Sequence, residues 1–374
     1  MKTKLQKLPP LILCALLAVY LIKSPVEAAE CVSRSLKMCA SRLIPSLFPF
    51  FILSSLLRGI GIARTLSRFT NRPFQLFFGV SGLGALPLIL GFTGGYPVGI
   101  KTVCDMHADG EIPTNQAQRL LLFCGNTGPA FIIGFAGSAL FGSVRAGLVL
   151  YAAHIASALI IGICCNLISK SLDPPLKAVS KSSNSSFSKA FTDAVSDSLS
   201  ACLNITAFVV LFAVFTGLLQ NFGITELICI ALGFFGADPV RAQALITGFL
   251  ELGSGLEALS PFAQNLSFSL PACAFMLGWG GVSVHCQALS FISREGLPPR
   301  GYVLSKLVHG ILSAILVSLF VRTGGNLKVF AFWGHSSAKE FIFDYLGLFF
   351  SLSCGLAALL LSILRRIKQR KSKL

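Results

Sequence analysis

Gly91-Phe92-Thr93-Gly94-Gly95-Tyr96-Pro97-Val98-Gly99 closes an apolar run, and Gly125-Asn126-Thr127-Gly128-Pro129 follows it further along. Four glycines and a proline in nine residues do not carry a helix onward, because both residue types are poor in helix interiors and Pro97 lacks an N–H donor. In hydrocarbon, broken backbone is tolerated only where protein or enclosed water satisfies the freed N–H and C=O groups. These stretches therefore predict helix breaks lining a protein-walled cavity at membrane depth. Thr93, Gly94, Gly95, Tyr96, Asn126 and Thr127 are its first candidate wall residues.

The composition supports a membrane location. Of 374 residues, 54% are hydrophobic and only 12% charged, about half the usual charged share of a soluble domain. Apolar runs at 43–57, 147–168, 203–219 and 341–364 approach or exceed the span of a hydrocarbon core about 30 Å thick. The net charge of +16 sits at segment ends: Lys2, Lys4 and Lys7 precede the first run, and Arg365, Arg366, Lys368, Arg370, Lys371 and Lys373 follow the last. The positive-inside rule and anionic headgroups explain that pattern, which does not call for nucleic acid. Most of the twelve cysteines lie inside apolar segments, without a Cys-x-x-Cys pair, and read as small buried hydrophobes.

Residues 1–29 are either an N-terminal transmembrane helix or a signal-like segment, since Val26-Glu27-Ala28 resembles a cleavage site. A first module occupies 30–170. In it, Pro45 and Pro49 start or kink a span, Arg58, Arg64, Arg68 and Arg72 mark a cytoplasmic exit, and 105–113 forms a polar loop. A Ser- and Lys-rich linker at 171–188 separates it from a second module at 189–322, and 323–374 supplies a last helix with a basic cytoplasmic tail.

The modules repeat. Ala130-Phe131-Ile132-Ile133-Gly134-Phe135-Ala136-Gly137 matches Ala274-Phe275-Met276-Leu277-Gly278-Trp279-Gly280-Gly281 in residue type, and Leu88-Ile89-Leu90-Gly91-Phe92 matches Leu245-Ile246-Thr247-Gly248-Phe249. Arg145 and His154 stand nine apart, as do Arg300 and His309. Three matches in one order point to duplication. With residue 30 outside and the linker inside, the first module crosses an odd number of times, so the second runs inverted and both termini are cytoplasmic. Arg322, Lys328 and Lys339, on the outer side in this count, run against it.

Pro45-Ser46-Leu47-Phe48-Pro49-Phe50-Phe51-Ile52-Leu53, the 91–99 stretch, Asn126-Thr127-Gly128-Pro129-Ala130-Phe131-Ile132-Ile133-Gly134 and Gly280-Gly281-Val282-Ser283-Val284-His285-Cys286-Gln287 resemble segments of the Gate, or nucleoside-recognition, domain family, in layout its sporulation branch. The resemblance runs over residues 31–320. It implies an all-α polytopic membrane protein of two inverted Gate-type repeats, as in concentrative nucleoside transporters and the membrane part of ferrous-iron transporters. It further implies about eight full spans plus two re-entrant or broken segments, and a role in spore cortex formation. The sequence contains no GTPase P-loop, which argues against a complete ferrous-iron transporter.

Glu251 and Glu257 flank Gly253-Ser254-Gly255, the second-module counterpart of the glycine-rich break. An acid at membrane depth is expensive unless paired, hydrated or functional, so Glu251 is a candidate for solute or ion coupling; an interfacial, solvated loop is the alternative for both acids. Asn126 and Thr127 either contact a solute or cap the following helix. His154 and His309 either relay protons or act as interhelical donors. Ser254, His285 and Gln287 complete the candidate cavity set. No zinc helix, nucleophile elbow, Walker loop or cofactor motif occurs. The expectation is a cell-membrane permease, not an enzyme, moving a small polar solute, nucleoside-like or anionic, with a proton or sodium ion. A homo-oligomer is compatible with that reading. A non-transporting scaffold for spore or envelope assembly is the alternative.

Overall fold

A computed structural model describes residues 8–59, 62–168, 187–234 and 236–323. The expected linker up to residue 186, the last apolar run and the basic tail lie outside the described residues. Every regular element described is helical.

Helices α1 (Leu8–Lys23) and α2 (Pro25–Met38) are separated only by Ser24, with Pro25 in the first turn of α2, where its missing N–H costs nothing. A π turn at Cys39–Leu43 feeds α3 (Ile44–Gly59), which carries Pro49 inside. The amphipathic α4 (Ile62–Phe78) bends 83° away from it. Helix α5 (Ala85–Gly94) then stops at Gly95, whose φ of +81° is open to glycine, and α6 (Val98–Ala108) restarts beyond Pro97. The expected polar loop at 105–113 is therefore shorter: Asp105 lies within α6, and only 109–113 turn.

Helices α5 and α6 fold back on one another as a hairpin. A Cβ on Gly91 or on Gly99 would stand 2.1 Å from the Cys124 carbonyl oxygen, and one on Gly99 would be 2.8 Å from the Gly91 Cα. Only glycine permits that approach. The short α7 (Thr114–Leu121) leads into an extended 125–129 segment, then α8 (Ala130–Leu140), wound as a π-helix, and α9 (Val144–Ile168).

The 35-residue α10 (Phe187–Asn221) is about 52 Å long at 1.5 Å per residue. It is followed by α11 (Ile224–Gly233) and α12 (Pro239–Leu250), whose first turn is capped by Asp238 accepting from the Arg241 N–H at 2.9 Å. Glu251 breaks the chain before α13 (Leu252–Ala258). This second hairpin is as tight as the first: a Cβ on Gly255 would lie 2.0 Å from the Gly248 Cα. Helices α14 (Leu266–Trp279) and α15 (Gly281–Arg294) meet at left-handed Gly280, and α16 (Tyr302–Arg322) closes the described chain.

Four helices are long and apolar enough to cross a membrane: Val144–Ile168, Phe191–Asn221, Leu266–Arg294 and Tyr302–Arg322; a fifth is reached if the bent pair Leu47–Leu57 and Ile62–Phe78 counts as one span. That is fewer among the described residues than the eight expected, because the hairpins and α8 are short and the last apolar run lies outside this set. The two halves of the chain share cores. One apolar cluster joins Leu88, Val98, Leu120 and Phe123 to Ile205 and Ala288, and a second joins Ile132, Leu150 and Ala153 to Leu256, Leu270 and Met276.

Candidate functional site: a chamber where the helix breaks meet

The four interruptions meet in pairs. Gly95 backs onto Gly128, where an added Cβ would be 2.6 Å from the Gly128 nitrogen. Gly281 backs onto the second hairpin, its Cβ position 3.1 Å from the Leu252 nitrogen and 3.2 Å from the Leu250 oxygen. Thr127 joins the pairs, its hydroxyl donating to the Leu277 carbonyl at 2.9 Å.

A chamber with a volume of about 110 Å³ opens against these breaks. Its polar side is formed by Thr93, Tyr96, Thr127, Glu251 and Gln287 with the backbone of Gly94, Gly95, Gly128 and Gly253; Leu47, Phe50, Phe131, Ile205, Val209 and Val284 supply apolar wall. A concave, mostly apolar cavity with a few convergent polar groups has the character of a small-molecule site.

Glu251 is only 6% exposed. Its two oxygens accept from the Gly253 N–H at 2.9 Å and the Ser254 N–H at 2.6 Å. It therefore caps α13, where orphan N–H groups and the helix dipole both favour an anion, while still facing the chamber. Thr93 donates to the Ile89 carbonyl at 2.9 Å and remains exposed at the chamber edge.

Behind the Tyr96 ring lies a buried polar network joining the two halves of the chain. Lys306, fully buried on α16, donates to the Gly125 carbonyl and to His309 Nδ1 at 3.3 Å, with its Nζ 5.7 Å from the Tyr96 ring centre. His309 donates through Nε2 to the His154 carbonyl at 2.9 Å, and His154 Nε2 accepts from the Thr127 N–H at 3.0 Å. These partners assign both imidazoles as neutral, with the proton on Nδ1 of His154 and on Nε2 of His309. Their rings are 4.3 Å apart. They act in this arrangement as links between α9 and α16. Tyr151 adds a tie from α9 to the first hairpin, its hydroxyl donating to the Phe92 carbonyl at 2.9 Å.

Seven of the sequence candidates thus gather at the chamber: Thr93, Gly94, Gly95, Tyr96, Thr127, Glu251 and Gln287. Four stand elsewhere. Asn126 is turned back on its own chain, Nδ2 donating to the Phe123 carbonyl at 2.9 Å, because the extended segment needs that carbonyl satisfied. Ser254 contributes its backbone N–H to Glu251 and is not part of the chamber lining. His285 is packed edge-on between Trp279 and Tyr302, at 4.2 and 5.7 Å between ring centres. Glu257 is exposed on the short α13 and does not line the chamber.

Sequence reasoning missed Lys306 and Trp279, whose Nε1–H holds the Phe249 carbonyl at 2.8 Å. Lys306 carried a signal: it is the one charged residue between Tyr302 and Phe320 on an apolar span, and it stands three residues before His309 on one helix face. Among the described residues no group of three or more His, Cys, Asp or Glu is arranged to hold a metal ion.

No protein-family model matches this chain. A solved structure of CNTnw, a doubly substituted variant in an outward-facing state, is 12% identical and covers 86% of each chain with a TM-score of 0.46. The sporulation integral membrane protein YlbJ of Bacillus subtilis strain 168 is 26% identical over 325 residues, 81% of this chain and 80% of that protein. This membrane protein, with its apolar crossing helices, is thus similar over most of its length to an integral membrane protein of sporulation.

Proposed function

We propose that the protein is a permease for a small, uncharged polar solute, nucleoside-like in its mix of ring and hydroxyl groups. The convergence of the interrupted helices on one chamber carries this reading: a glycine-built hairpin from each half, at Gly95 and Glu251, reaches the same cavity wall. Broken backbone at membrane depth belongs where it lines a cavity. The Tyr96 ring and the apolar wall offer a face for a planar group, while Thr93, Thr127 and Gln287 offer hydroxyl and amide partners. Glu251 is the one ionisable acid or base besides Tyr96 among the lining residues described. A fixed carboxylate repels a second anion, which favours the uncharged solute over the anionic one.

In this proposal Glu251 also binds the coupling proton or sodium ion, using the lone pairs left after its two backbone hydrogen bonds. The two modules run in opposite senses and both termini are cytoplasmic. The similarity to a sporulation integral membrane protein supports a role in building the spore envelope. The test is uptake by proteoliposomes containing the full chain and a panel of uncharged polar metabolites, with and without a proton or sodium gradient. Gradient-dependent uptake lost in Glu251→Gln is the expected result. Uptake whose ion dependence survives Glu251→Gln removes the coupling role, and a panel that is never taken up removes the permease reading.

A further inference from the structure

A second concavity, with a volume of about 460 Å³, is walled by α6, α10 and α15. Lys101, Asp105, Asp197, Arg294 and Glu295 bring charges of both signs to it, beside Ser200, Asn204 and Ser290. Lys101 and Asp105 pair at 2.7 Å. It faces the third to fifth turns of α10, counted from the end at which the chain enters from the 171–188 segment.

Helices α10 and α15 wall both cavities. On α10, Asp197, Ser200, Ala201 and Asn204 face the charged cavity, and Ile205 and Val209 face the central chamber. On α15, Val284 and Gln287 face the chamber, and Ser290, Phe291 and Arg294 face the charged cavity. Tyr96 lies in the chamber wall just before α6, whose Lys101 and Cys104 reach the other cavity. Helical spacing makes the two groups on each helix neighbours within about one or two turns.

A single polar chain crosses the interval. Asn204 Nδ2 donates to Ser290 Oγ at 3.0 Å, and Ser290 Oγ donates to the Gln287 carbonyl at 2.7 Å. The Asn204 contact is a direct side-chain hydrogen bond between α10 and α15 at the boundary between the cavities, and both partners are partly buried. Hydroxyl and amide groups at such a boundary can separate and be rehydrated at small net cost.

We propose that the charged cavity is the inner vestibule of one solute path, and that the Asn204–Ser290 contact is the latch closing it from the central chamber. The inference rests on the permease reading for its purpose, but its geometry is testable without a solute. With two cations against three carboxylates in its wall, the vestibule holds no strong field of one sign, so it admits an uncharged or zwitterionic polar solute and does not concentrate an anion.

Sealed vesicles with the linker side outward would be treated with a charged, membrane-impermeant thiosulfonate, and modification read on the peptide carrying each introduced cysteine. Ala201→Cys reports on the vestibule and Thr93→Cys on the chamber. The peptide around Thr93 contains no native cysteine from Pro73 to Lys101. Ala201→Cys should be labelled in every background. Thr93→Cys should be labelled slowly alone and about fivefold to tenfold faster with Asn204→Ala and Ser290→Ala, the factor expected when one hydrogen bond holding a closed state is lost. If the double change gives little folded protein, Ser290→Ala alone removes the same hydrogen bond. An unchanged Thr93→Cys rate beside a labelled Ala201→Cys overturns the latch, and an unlabelled Ala201→Cys overturns the vestibule. Failure of all solute uptake with the labelling pattern intact would count against the permease and leave the path standing.

Discussion

Replacing Lys306 by methionine keeps most of the side-chain volume and removes the amine that joins the two modules. The residue is fully buried, and its two hydrogen bonds end on the Gly125 carbonyl and on His309 Nδ1. Hydrogen bonds between neutral groups contribute about 0.5–1.5 kcal/mol each, so losing both costs about 1–3 kcal/mol. Part of that returns, because methionine buries an apolar side chain of similar length in the same space. Here the return is incomplete, since Gly125 and His309 keep unsatisfied acceptors in a dry interior. The net loss is about 1–2 kcal/mol, or a midpoint fall of about 1–3 °C at about 2.1 cal/mol/K of unfolding entropy per residue. The buried thiols of Cys104, Cys124 and Cys273 serve as the reporter: a thiol-reactive dye turns fluorescent when they are exposed by heating in detergent. The cycle of Lys306→Met with His309→Ala should be non-additive by about 1 kcal/mol or more, as for groups in direct contact. A Lys306→Met midpoint equal to or above the parent's, or strict additivity, would refute the view that this network clamps the break.

Gly91→Ala should yield little folded protein, because its Cβ meets a backbone oxygen at 2.1 Å, whereas Gly248→Ala meets the flexible Met276 side chain at 2.4 Å and should cost less; expression and gel-filtration yield of the two separate them. Tyr151→Phe removes the hydroxyl that holds Phe92 and should lower the thermal midpoint by the equivalent of about 0.5–1.5 kcal/mol, read with the same dye. Glu251→Gln offers an amide N–H to a pair of N–H donors that both need an acceptor, so it should cost about 1–2 kcal/mol. Glu257→Gln on the exposed face should shift the midpoint by less than about 0.5 kcal/mol.

The breaks were legible in the sequence because glycine and proline punctuate a membrane helix in a way no tertiary contact hides. Residues 93–96, Thr127, Glu251 and Gln287 were found on that ground and do gather at one wall. Asn126, His285 and Glu257 share the same neighbourhood in sequence but face away, and that depends on which way each helix face is turned once the hairpins close. The extension of α6 through Asp105 went unread because its polar end, solvated at the vestibule, looks like a loop in composition. Lys306 was hidden for a different reason. Its acceptors are the His309 nitrogen three residues on and a backbone carbonyl 181 residues away, and the second leaves no mark in local sequence. The charged vestibule likewise comes from three helices remote in the chain, each contributing residues that alone read as helix ends.

The central claim is that interrupted helices from both modules hold a small polar molecule in the chamber beside Tyr96 and Glu251. It is tested most directly by the thermal midpoint of the purified full chain against a panel of uncharged polar metabolites, nucleosides among them. At a concentration of about 100 times its dissociation constant, a ligand bound only by the folded form adds about 2.7 kcal/mol of stability. The account predicts a midpoint rise with at least one panel member, lost in Gln287→Ala and unchanged in Glu257→Gln. A panel that leaves the midpoint still, or a rise that persists in Gln287→Ala, would contradict it.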